Sequence, residues 1–210
     1  MLVNVLSVLA CVSAALAVSG ECRGRRGVVY AFKPLTVVFI MALACVPKFP
    51  VSDFYRYAVV AGLVCSLAGD VFLMLPSDRF VQGLLCFLAA HVCYVAAFVA
   101  GGASVSYVWR VIPFAVYGGL MWLVLSPRLG EMKAPVAVYM LAILLMGWLA
   151  LGRWANVGEA GSGLASAGAC LFVVSDSALA LARFRGRFRG AQLVVLTTYF
   201  AAQWLIALST

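Results

Sequence analysis

Four ionisable residues stand inside otherwise apolar stretches of the chain: Lys33, Asp70, His91 and Asp176. Two carboxylates with a cation and an imidazole can carry out acid–base hydrolysis. A carboxyl group kept protonated by apolar surroundings donates a proton, while an ionised partner steadies positive charge or activates water. A charge inside a membrane span is costly, so such residues face a bundle interior, a wet cavity or a functional path. One cation facing two carboxylates leaves the second acid to be protonated, paired with His91 or bound to a cation. The plainer reading of the same residues is an ion pair from Lys33 to Asp70 or Asp176 that locks the helices, with His91 a hydrogen-bonded core residue.

Other chemistries fit poorly. A zinc hydrolase recruits two or three histidines or several thiolates, and the chain has one histidine and scattered cysteines. Cys11, Cys45, Cys65, Cys86, Cys93 and Cys170 fall in apolar runs as small hydrophobes, and with Cys22 they make an odd number, so no disulfide framework is expected. Gly161-Ser-Gly163 is not a nucleophile elbow, and no glycine-rich loop carries the Lys-Ser/Thr of a phosphate-binding loop. Ser-His-Asp catalysis would need an ordinary helix serine as nucleophile. No metal site is expected.

The elements that must position these residues are membrane spans. Of 210 residues, 66% are apolar and 10% charged, with mean hydropathy +1.10, so water is not the main solvent of this chain. Apolar runs cover about 2–20, 28–46, 55–75, 82–100, 105–125, 135–152, 161–182 and 191–209. A span needs about 20 mostly apolar residues, which makes about eight transmembrane helices and leaves only short loops. The expected architecture is an all-α, polytopic helix bundle, with residues 1–210 forming a single integral membrane domain. The run from Leu2 lacks the basic start of a signal peptide and is expected to remain as the first span.

The net charge of +8 lies in brief loops, where retention of Lys and Arg on the cytoplasmic side accounts for it, so no nucleic-acid partner is expected. Loops one, three, five and seven hold Arg23, Arg25, Arg26, Arg79, Arg128, Lys133, Arg183, Arg185, Arg187 and Arg189; the other side has Lys48, Arg56, Arg110 and Arg153. Both termini are therefore expected to be extracytoplasmic. Oligomeric state is not legible.

At 1.5 Å per residue, Lys33, Asp70 and Asp176 each sit roughly 7 to 10 Å inside the basic boundary, and His91 lies deeper in span four. Span eight adds Tyr199 and Gln203, four residues apart and so on one face; they serve equally well as interhelix hydrogen-bond partners or substrate contacts. Pro34 frees the Tyr30 carbonyl, and Tyr30, Lys33 and Thr36 share a face. Gly69 permits close helix approach, as does the stripe of Gly161, Ala165 and Ala169. Ser175 and Ser177 flank Asp176, within reach of it or of backbone carbonyls.

Five segments, Lys33-Pro-Leu-Thr36, Gly69-Asp-Val-Phe-Leu-Met-Leu75, Phe80-Val-Gln-Gly-Leu84 running on to His91-Val-Cys-Tyr94, Leu171-Phe-Val-Val-Ser-Asp-Ser177 and Thr198-Tyr-Phe-Ala-Ala-Gln-Trp204, resemble in order and spacing the YhhN-like membrane proteins that include the lysoplasmalogenases. The resemblance runs from residue 33 onward. It implies a hydrolase without a cofactor that uses water to cleave the vinyl ether of a lysoplasmalogen, a lysophospholipid, to a fatty aldehyde and glycerophosphoethanolamine or glycerophosphocholine. On the matching motifs stand Lys33, Asp70, His91, Tyr94, Asp176, Tyr199 and Gln203. Nothing carries over to the first span or to about 101–160.

Vinyl ether hydrolysis suits two carboxylates. Protonation at the β-carbon gives an oxocarbenium ion that water captures, much as in glycoside cleavage. The expected roles are Asp176 as general acid, Asp70 ionised beside Lys33, and His91 with Tyr94 positioning water or the ether oxygen. Tyr199 and Gln203 are expected to orient the glycerol hydroxyl, Thr36 to contact substrate from the helix face it shares with the catalytic Lys33, and Arg79 to meet the phosphate. Two rivals remain: a proton-coupled small-molecule or lipid transporter, against which no paired repeat with broken helices is evident, and a structural membrane protein.

Overall fold

The computed structural model describes residues 1–104, 108–186 and 188–210. Residues 105–107, where the fifth span is expected to begin, and Arg187 of the basic run lie outside the described residues. Among the described residues, eight helical spans are long and apolar enough to cross a membrane, and the chain is a multi-pass membrane protein. Their α-helices are α1 (Leu2–Cys22), α2 (Arg26–Ala44), α3 (Asp53–Met74), α4 (Phe80–Ala100), α5 (Ile112–Leu125), α6 (Lys133–Val157), α7 (Ala160–Phe184) and α8 (Ala191–Leu208), the fifth and sixth spans also taking in helical turns to cover Val108–Arg128 and Gly130–Val157. Short 3₁₀ turns at Val108–Val111, Ser126–Arg128 and Gly130–Met132 flank α5. In hydrocarbon every backbone polar group must be satisfied within the protein, which is why apolar runs of this length fold as helices.

Local chemistry sets the ends. The Ser52 side chain accepts the Tyr55 amide at 3.2 Å and Asp53 occupies the first turn of α3, both favourable at the positive end of the helix dipole. The helix stops at Leu75, ahead of Pro76. α6 ends on Gly158 at φ 73°, the left-handed cap that glycine adopts without strain.

Successive helices pair most closely as α1–α2, α3–α4 and α7–α8, while α6 joins α4 to α7, and α8 reaches back to α1, α2 and α3. Small residues bring the backbones together. A Cβ at Gly69 would fall 2.7 Å from the Phe87 ring, and one at Gly168 would fall 2.8 Å from the Ala202 carbonyl oxygen of α8. α5 is peripheral: only Gly118 and Leu125 of its fourteen residues are buried, and its main helix neighbour is α6.

The sixth span is longer than its apolar run. α6 continues to Val157, so Arg153, counted in the sequence as a loop charge, lies inside the helix and is 2% exposed. Its Nε donates to the Gly101 carbonyl at 3.0 Å, its Nη1 donates to the Tyr55 hydroxyl at 3.1 Å, and its guanidinium stacks on the Tyr55 ring. Two of its nitrogens are thus hydrogen-bonded and its plane is covered by an aromatic ring, which offsets the cost of placing a charge there.

Candidate active site

The basic ends of α2, α3, α7 and α8, with the turn before α4, enclose a cleft of about 720 Å³ whose walls include Lys33, Asp70, Asp176 and Tyr199. Both carboxylates expected at similar depth face this one space. Helix periodicity explains it: Asp70 is four residues from the end of α3 and Asp176 eight from the end of α7, so each lies one to two turns below the same boundary.

The two acids have different surroundings. Asp70, its side chain 2% exposed, has Lys33 Nζ 3.0 Å from Oδ1 and accepts the Tyr199 hydroxyl on Oδ2 at 2.7 Å. Both of its oxygens are committed, one to a cation. Asp176, at 13% exposure the more accessible, accepts the Tyr139 hydroxyl on Oδ2, and His91 Nε2 lies 3.4 Å from the same oxygen. Its Oδ1 makes no hydrogen bond among the described residues.

A proton inventory fixes the histidine tautomer. Tyr139 has a single hydroxyl hydrogen, and it points at Asp176. The 3.0 Å contact between that hydroxyl and His91 Nε2 is then a hydrogen bond only if Nε2 carries a hydrogen. A chain runs from His91 Nε2–H to the Tyr139 oxygen and from its hydroxyl to Asp176. Phe172 lies edge-on to His91 and Tyr199, with ring centroids 4.8 and 5.6 Å away, and so separates the two carboxylate networks with an apolar wall.

The remaining expected residues divide by position. Arg79 lines the cleft mouth with Arg26 and Arg183; its Nε donates to Ser77 at 3.4 Å, while Arg183 is held on Asp78 at 2.5 Å. Tyr94 and Gln203 do not line the cleft. They are fully buried and bonded to each other, tying α4 to α8 through a 2.6 Å hydrogen bond. Thr36 is also away from the cleft, donating to Phe32 O at 2.7 Å and contacting Ser13 at 2.9 Å, which ties α2 to α1. Ser175 and Ser177 donate to the Val195 and Val173 carbonyls. Tyr139 had no place in the sequence reading, because a tyrosine a few residues into a span is what an interfacial aromatic belt also supplies.

A model of the YhhN family matches residues 28–210. The chain belongs to the YhhN family. It is 32% identical over 200 residues, 95% of each chain, to an Escherichia coli O6:H1 protein named "uncharacterized membrane protein YhhN". It is also similar to human proteins named lysoplasmalogenase TMEM86B, at 36% identity over 74% of this chain, and lysoplasmalogenase TMEM86A, at 33% over 72%. The matched region spans 64% of the length of each of those two human proteins. No solved structure matches.

Proposed function

We propose that this YhhN-family protein is a lysoplasmalogenase, hydrolysing the vinyl ether of an alkenyl lysophospholipid to a fatty aldehyde and the glycerophospho-base. The observation that carries the reading is the asymmetry of the two carboxylates on one intramembrane cleft: Asp70 faces a lysine, and Asp176 faces a phenol and an imidazole. The similarity to human proteins named lysoplasmalogenases supports the substrate class.

In this scheme Asp176 is protonated on Oδ1 and delivers that proton to the β-carbon of the vinyl ether. The double bond's electron pair forms the new C–H bond, and the ether oxygen stabilises the resulting oxocarbenium ion. The anionic Asp70, fixed by Lys33 and Tyr199, supplies negative potential across the cleft that favours the cation. Water adds to the oxocarbenium carbon and gives a proton back to Asp176, restoring the acid. The hemiacetal then collapses to aldehyde and the glycerol hydroxyl, with one water consumed overall. His91 and Tyr139 hold the Asp176 carboxyl in register, and Arg26 and Arg79 at the mouth receive the phosphate, a role that guanidinium forks perform well.

The test uses purified protein in detergent with an alkenyl lysophospholipid, following free aldehyde. Release by wild type, with loss in Asp70→Asn and Asp176→Asn variants that remain folded, is the expected result. Full activity in both variants would sink the scheme, and no aldehyde from folded wild type would sink the substrate.

A further inference from the structure

A second, narrower space meets the cleft at Asp176. It lies among α4, α5, α6 and α7, walled largely by Leu84, Met121, Met140, Ile143, Leu144 and Val173. It has Leu73, Phe80, Phe87, Asp176 and Leu179 in common with the polar cleft, so the two spaces abut along a shared wall that includes the carboxylate. Its polar hydroxyls are already engaged, Tyr139 on Asp176 and Tyr117 donating to Ser177 at 2.6 Å. Such a slot offers nothing to a charged headgroup and everything to a hydrocarbon chain.

We propose that this slot is the chain subsite of the lysolipid, with the carbons next to the ether at Asp176 and the rest of the chain running between α5 and α6 toward the bilayer centre. This rests on the lysoplasmalogenase reading of the cleft. A single-chain lipid bound in this way spans the junction, its phosphate at the arginines, its reactive bond beside Asp176 and its tail in the slot. This arrangement puts the polar-to-apolar boundary of the substrate on the proton donor.

The slot holds about 60 Å³, against about 720 Å³ in the cleft, so a chain must widen it. α5 is the wall able to yield, with two buried residues and one principal neighbour. Met121 and Met140 are flexible, adaptable side chains suited to an irregular apolar ligand. Because the bilayer is as apolar as the slot, hydrophobic transfer gives no preference for it; fit does, and chain length becomes the selected property. Gly118 sets the fit, since a Cβ there would lie 2.5 Å from Leu144 Cδ1.

The experiment is photolabelling of the full-length protein in lipid nanodiscs with an alkyl ether lysophosphoethanolamine bearing a diazirine at the chain terminus. The saturated ether cannot be hydrolysed by this route, so labelling reads the subsite independently of turnover. Label on the α5 and α6 peptides that carry Met121 and Met140, suppressed by excess unlabelled lysolipid and reduced in Gly118→Leu, is expected. Competed label confined to α1 and α2, or label only on outward residues such as Leu123 and Leu141 that competition does not reduce, overturns the proposal. With alkenyl substrates, Gly118→Leu is expected to shift the kcat/KM ratio toward short chains by about tenfold; an unchanged ratio in a variant that unfolds at the wild-type temperature also overturns it. Absence of aldehyde at every chain length would defeat the hydrolase reading while the labelling still decided the slot.

Discussion

Tyr139 of α6 and Asp176 of α7 share a hydrogen bond that no single helix could have provided: the phenol donates to Oδ2, while Oδ1 makes no hydrogen bond among the described residues. That division matters because a carboxylic acid must present its proton in one direction to transfer it. His91 supports the phenol from behind, fully buried on α4. Asp70 has the opposite arrangement, with both oxygens occupied and a lysine at one of them. The same side chain is thus set up once as a donor and once as a fixed anion.

Removing the phenolic hydroxyl should therefore act on turnover more than on binding. Tyr139→Phe is expected to lower kcat by roughly a hundredfold, the lower range for an acid–base group that loses its alignment, with KM nearly unchanged. It should also cost about 1–3 kcal/mol of stability, because His91 Nε2 loses its 3.0 Å partner in a buried site. Steady-state aldehyde release and thermal unfolding in detergent give the two readouts. A raised KM with an unchanged kcat would assign Tyr139 to substrate contact instead.

The Lys33–Asp70 pair lends itself to a double-mutant cycle. Lys33→Met leaves an uncompensated carboxylate inside the bundle and is expected to destabilise by about 3 kcal/mol, as is usual when one partner of a buried pair is removed. Lys33→Met combined with Asp70→Asn removes both charges and should recover most of that loss, since a neutral pair needs no counterion. Aldehyde release should stay absent in the double variant. Recovery of activity along with stability would make the pair a structural lock and nothing more.

At the cleft mouth the Arg183 hydrogen bond holds the Asp78 carboxyl below the usual carboxylate range. A depressed folded value means that the stabilisation is fully present above the ordinary value of about 3.9 and disappears only as pH falls through the lower folded one. Across roughly pH 5 to 8 the pair therefore does not titrate. Wild type and Asp78→Asn should give pH–rate profiles of the same shape there, with any difference in unfolding temperature constant over the range. A profile that changes shape on this substitution would place Asp78 in the proton chemistry.

What the sequence made legible follows from how strongly the membrane constrains it. An apolar run must become a helix, and helix rise converts sequence position into depth, so Lys33, Asp70 and Asp176 could be placed near one boundary before any coordinates. Rotation about each helix axis is less constrained. Tyr94, expected beside the reacting groups, bonds instead to Gln203, which takes the interhelix role of the two that its position allowed, and Thr36 turns toward α1 rather than the cleft. Tyr139 was invisible because its role depends on α6 packing between α4 and α7, a relation that span order does not encode. Arg153 was misplaced for a related reason: an arginine at the end of an apolar run looks like a loop residue until the longer helix and its buried partners are seen.

Arg153 provides the last prediction, remote from the chemistry. Its guanidinium ties α6 to the Gly101 carbonyl that ends α4 and to Tyr55 near the start of α3, while the Tyr55 hydroxyl continues to Ser209 at 2.7 Å. Arg153→Ala removes a large buried side chain and takes a donor from the Gly101 carbonyl and from the Tyr55 hydroxyl, which keeps Ser209, so a loss of about 3–5 kcal/mol is expected from the cavity and the broken hydrogen bonds. Arg153→Lys should recover only part of it, because an ammonium cannot stack on Tyr55 and fork to two acceptors in the same plane. Neither substitution touches the cleft, so aldehyde released per folded molecule should match wild type. Equal unfolding temperatures for wild type and Arg153→Ala would mean that the buried cation carries no net stability. A fall in kcat without a fall in stability would instead link this end of the bundle to the carboxylates at the other.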